Sequence, residues 1–101
     1  MKIKSEFLIN GQTVKVIFDD EKMHKEGALG LCYSDQNKIY LSRTTIDEGK
    51  KIKLPADKIQ SVYIHEVLHY ILDTMGEVEL SANEKFVETF SSLLHQFLNS
   101  K

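Results

Sequence analysis

His65-Glu66-Val67-Leu68-His69 is the stretch whose residue types and spacing can do chemistry. On a helix, residues four apart share a face, so His65 and His69 can offer two imidazole nitrogens to one metal, with Glu66 beside them. That donor set suits zinc, which takes nitrogen and carboxylate ligands in a tetrahedral arrangement. Two histidines alone leave too many open positions, and a catalytic site needs a third protein ligand plus a water.

Exclusion narrows the third ligand to a carboxylate. One large class of zinc peptidases continues the motif with glycine and histidine three and six residues on; here those positions are Leu72 and Met75. No cysteine follows, and the one later histidine is His95. The run Asn83-Glu84-Lys85-Phe86-Val87-Glu88 then stands out. Glu84 follows His69 by fifteen positions, enough to end one helix, turn at Gly76 and return on an antiparallel partner. Glu84 and His95 lie about 16 Å apart along a helix, so with Glu84 at the metal His95 is not. Glu88 is one turn beyond Glu84 on the same face, where it is either the rival ligand or the acceptor for the far nitrogen of a ligating histidine.

The elements that must position these residues follow from periodicity. Residues 2 to 18 alternate apolar and polar positions around Asn10-Gly11, the dipeptide that favours a type I′ turn, which predicts a hairpin of Lys2–Ile9 and Gln12–Phe18. Residues 19 to 26 are polar and read as a loop or brief helical turn, with His24 a solvated loop residue rather than part of the site. A second hairpin is expected from Leu29–Ser34 and Lys38–Ser42 across Asp35-Gln36-Asn37, with Ile39-Tyr40-Leu41 its buried centre. Residues 43 to 53 turn polar and basic. A motif helix is predicted from Pro55 to Met75, with Gly76 as its stop. Its apolar residues cover so much of its surface that it must be central, and His65, Glu66 and His69 are polar interruptions that need an explanation. Glu77–Ser81 reads as a connection, and Asn83 or Ser81 as the cap of a last helix reaching Leu98. Phe86, Phe90, Leu93, Leu94 and Phe97 are its expected core stripe. Asp73, one turn after His69, reads as a solvated helix-end acid.

Composition narrows the classes. A chain of 101 residues, 42% hydrophobic and 28% charged, is one domain over 1–101 with a small core. A net charge of -2 with both signs interspersed argues against nucleic acid or an anionic membrane as partner. The single Cys32 can make neither an internal disulfide nor a zinc ribbon, and reads as a structural thiol. With a charged start and no apolar run of transmembrane length, a cytoplasmic protein is expected.

His65-Glu66-Val67-Leu68-His69 followed by Asn83-Glu84 and Glu88 resembles the gluzincin pattern of thermolysin-like peptidases, HExxH then NExxx[DE]. The stretch from Gly30 to Leu41 ahead of the motif helix is similar to minimal zincins of phages and mobile elements, loosely grouped with ImmA/IrrE-type metallopeptidases. The resemblance implies that Glu84 is the third zinc ligand and Glu88 the carboxylate supporting a ligating histidine. It also implies an α+β, zincin-like fold: a small mixed sheet of about four strands, a central motif helix and a C-terminal helix.

The expected activity is that of a zinc-dependent metallopeptidase acting on a peptide or protein substrate. Zinc polarises a bound water and the scissile carbonyl, and Glu66 takes the water's proton and passes it to the leaving amine. The substrate is expected to extend along the strand Lys38–Ser42, with the oxyanion donor drawn from Tyr33, Tyr40, Tyr63, Tyr70 and His24. A second class suits the same residues: a catalytically silent, metal-stabilised interaction module of a phage or mobile element.

Overall fold

A computed structural model describes residues 1–100. Strands β1 (Glu6–Ile9) and β2 (Gln12–Phe18) form the first hairpin, with Asn10 and Gly11 both at positive φ (52° and 74°), as a type I′ turn requires. The first strand starts at Glu6 rather than Lys2. Residues 20–26 make a full helix, α1 (Asp20–Glu26), capped by the Asp19 side chain, which accepts from Lys22 N, and ended by Gly27 in the left-handed conformation. The second hairpin comprises β3 (Gly30–Tyr33) and β4 (Lys38–Leu41), joined by a single 3-10 turn over Ser34–Gln36.

These strands form one mixed sheet in the order β1-β2-β4-β3, with β2 and β4 parallel. The order corrects one expectation. Lys38–Ser42 cannot be an edge for substrate, because β4 is hydrogen-bonded to β2 on one side and β3 on the other. The free edge nearest the motif helix is β3. The polar, basic stretch after the sheet, which shows no apolar alternation, forms a separate two-stranded hairpin, β5 (Thr44–Asp47) and β6 (Lys50–Lys53), turning at Glu48-Gly49.

Helix α2 (Ala56–Thr74) carries the motif. It closes in a Schellman arrangement: Glu77 N–H donates to Leu72 O and Gly76 N–H to Asp73 O, with Gly76 at φ 80°. A short helix, α3 (Val78–Ala82), occupies most of what was read as a connection, and Asn83 caps α4 (Glu84–Leu98) by accepting from Phe86 N at 3.0 Å.

The molecule is layered, with the sheet on one side of α2 and α4 on the other. Val14, Val16, Ile39 and Leu41 point from alternate strand positions to one face, where Tyr63, Ile64 and Tyr70 of α2 complete the main core. Leu68 and Leu72 pack against Val87 on the other side. Of the expected core stripe of α4, Phe86 and Leu94 are partly buried and packed against these clusters, and the other three residues are not. Val87, Ser91 and His95 face inward, whereas Phe90, Leu93 and Phe97 are 47%, 61% and 73% exposed. The cause is the layer count: the face of α4 turned from α2 has no further element to cover it. Among the described residues, no helix is long and apolar enough to cross a membrane.

Candidate metal centre

Helix α2 places His65 and His69 one turn apart with their Nε2 atoms 3.2 Å from each other. The turn through α3 returns the chain so that α4 begins with Glu84 beside them, its carboxylate oxygens 3.7 Å from His65 Nε2 and 3.7 Å from His69 Nε2. Each imidazole is held from behind. His65 Nδ1 lies 3.1 Å from Glu88 Oε2, and His69 Nδ1 lies 3.0 Å from Ser81 Oγ. With Nδ1 donating in both rings, both Nε2 lone pairs are directed at the same point.

The residues fit a metal. Tetrahedral ligands 2.0–2.1 Å from zinc are about 3.4 Å apart, close to all three separations here. Two imidazole lone pairs facing each other also call for a proton or a cation between them. Burial, with His65 nearby, pushes the His69 pKa down, which keeps that imidazole neutral and ready to coordinate. His65, His69 and Glu84 are the three residues whose ligand atoms converge.

Glu66 lies at the contact between α2 and the sheet, beside Gly30 and in the same cleft as His65. It is buried, and the loss of water, followed by the nearby Glu84 carboxylate, pushes its pKa up to about 7. Gly30 makes room for it: a Cβ there would lie 2.6 Å from Val62 Cγ1 and 3.1 Å from Glu66 Cγ. Between these walls a cleft of about 170 Å³ opens, lined by Leu29 and Gly30 on one side, Lys58, Ser61, Val62, His65 and Glu66 along α2, and Glu88 across from them.

Other expected participants sit elsewhere. His24 is on α1, not in a loop, and its Nε2 contacts Thr44 Oγ1 at 3.0 Å, tying that helix to β5 through a network that includes Asp20. His95 is buried, 3.4 Å from Gln60 Oε1 and 3.5 Å from Asp57 Oδ1 near the start of α2. Asp73, expected as a solvated helix-end acid, is half-buried and accepts from Ser34 Oγ, which also contacts Cys32 Sγ. Burial raises the Cys32 thiol pKa to about 11, so it stays protonated.

None of the four tyrosines lines the cleft. Tyr63 is in the core against Phe7, and Tyr70 is buried with its hydroxyl donating to Asn37 Oδ1 at 2.6 Å. Tyr33 and Tyr40 pack edge to face beneath the Lys22 ammonium. Ser81 is the site residue that spacing missed. Its one sequence signal was its competence as a helix cap, a role that Asn83 fills instead.

No protein-family model matches the chain, and no curated protein or solved structure matches it either. The functional reading therefore rests on the site.

Proposed function

We propose that this chain is a minimal, zincin-like metallopeptidase of the gluzincin type, with zinc held by His65, His69 and Glu84 and with Glu66 as general base. The observation that carries this reading is the position of Glu66: a buried carboxylate next to the converging ligand atoms of His65, His69 and Glu84 and open to a cleft. A carboxylate held in that place, and kept ionised by a neighbouring cation, can act as a general base. Zinc, when bound, supplies the charge that polarises a water molecule and the scissile carbonyl. Glu66 removes the proton from that water and delivers it to the leaving amine. Glu88 and Ser81 fix the two imidazoles through Nδ1, and Gly30 lets the sheet approach Glu66 without blocking it. The free edge of β3, which begins at Gly30, is suited to pair with an extended substrate backbone.

The second reading, a catalytically silent metal-stabilised interaction module of a phage or mobile element, is favoured by one feature, the uncovered apolar face of α4. The Glu66→Gln variant separates the two. For a peptidase, the variant keeps its zinc and loses at least about a hundredfold in peptide hydrolysis, the scale of a general base. Zinc-loaded wild type that cleaves nothing in a broad peptide library supports the module instead.

A further inference from the structure

We propose that the cleft beside Glu66 selects peptides with an acidic side chain immediately after the scissile bond, and that Lys58 is the residue that reads it. The inference rests on the peptidase reading. Glu66 delivers its proton to the leaving amine, so the substrate residue bearing that amine lies over the cleft Glu66 lines. From there the cleft runs toward the start of α2, and Lys58 stands two turns before His65 on the same face, about 10 Å along the axis.

The charges of the lining favour an anion at that end. Glu88 also lines the cleft, but its carboxylate is engaged by His65 Nδ1 at 3.1 Å, and Glu66 is occupied with the reacting groups. Lys58 is exposed and, among the described residues, has no carboxylate within 4.0 Å of its ammonium. Leu29 and Val62 supply apolar walls and Ser61 a hydroxyl, a lining that suits the methylenes and the carboxylate of a glutamate.

The surroundings repeat the sign. Residues 43–58 carry five cations against three carboxylates in a chain whose net charge is -2. The base of the β5–β6 hairpin is tied to the neighbourhood of the cleft: Ser42 N–H donates to Leu29 O at 3.0 Å, Leu54 N–H donates to Arg43 O at 2.9 Å, and Leu54 leads directly into α2. Lys50, Lys51 and Lys53 on β6 are all exposed, so the segment that leads into the Lys58 helix is positively charged.

The test uses matched fluorogenic peptides that differ at the one position after the cleaved bond, carrying Glu, Gln or Lys. Cleavage is measured with zinc-loaded wild type, and binding by fluorescence anisotropy with the Glu66→Gln variant. The expected result is kcat/KM about tenfold higher for Glu than for Lys at low salt, the same order in binding, and both preferences reversed in Lys58→Glu. Cleavage with no preference for Glu, or a preference that Lys58→Glu leaves unchanged, overturns the inference and leaves the peptidase reading standing. Absence of both cleavage and binding across the panel overturns the peptidase reading and this inference together.

Discussion

Glu66 is the residue on which structure and chemistry bear most directly, because it is a buried carboxylate with no cationic side-chain partner among the described residues. In the metal-free protein that burial has a thermodynamic cost with a definite sign. Its folded pKa, about 7, lies above the ordinary value of 4.5, so its contribution to stability is fully present below pH 4.5 and is lost as pH rises through 7. At 1.36 kcal/mol per pKa unit the loss amounts to about 3 kcal/mol. In urea unfolding with chelator present, Glu66→Gln should therefore match wild type near pH 4.5 and exceed it by up to about 3 kcal/mol at pH 8. A stability difference between the two that does not change with pH would show that Glu66 is not held in the environment described here. Zinc acts in the opposite direction, since a cation beside the carboxylate favours its ionised form.

Helix α4 makes two separable contributions: its first two turns bring Glu84 and Glu88 to the site, and its inward face anchors it to α2. Val87→Ala, which empties part of a fully buried position against Leu68 and Leu72, should cost about 2 kcal/mol in chemical unfolding. Phe97→Ser on the uncovered face should stay within about 0.5 kcal/mol of wild type. Equal losses at the two positions would contradict the layering. The same helix shows where periodicity stops being informative. Its phenylalanines at helical spacing look like a core stripe, but the helical period reports only that a face is apolar; which face is covered depends on the number of layers. Strong local signals were legible: Asn10-Gly11 turns the first hairpin, Gly76 closes α2, and Asn83 caps α4. The β5–β6 hairpin was not, since both of its strands are largely exposed and lack the apolar alternation that marks a half-buried strand. Nor was the strand order, because it depends on a parallel pairing of β2 with β4 between segments more than twenty residues apart. That pairing makes β3, rather than β4, the edge beside the motif helix.

The molecule is a sheet, a central helix and a covering helix that bring three ligand atoms together beside a cleft, which His65 and Glu66 line along with Lys58, whose ammonium has no carboxylate partner among the described residues. Spacing placed Glu84 and Glu88 near the motif because a turn at Gly76 must fold the last helix back along α2. It did not reveal Ser81, whose role arises only when α3 carries its hydroxyl to the back of His69. In the proposed centre His65, His69 and Glu84 hold one zinc ion, with Glu88 acting through His65. Zinc stoichiometry and affinity, compared among wild type, Glu84→Ala and Glu88→Ala, decide whether they do. One tightly held zinc per wild-type chain is expected, with loss of stoichiometric zinc in Glu84→Ala and retention with about 10- to 100-fold weaker affinity in Glu88→Ala. Full zinc content in Glu84→Ala, with loss in Glu88→Ala, would contradict that assignment.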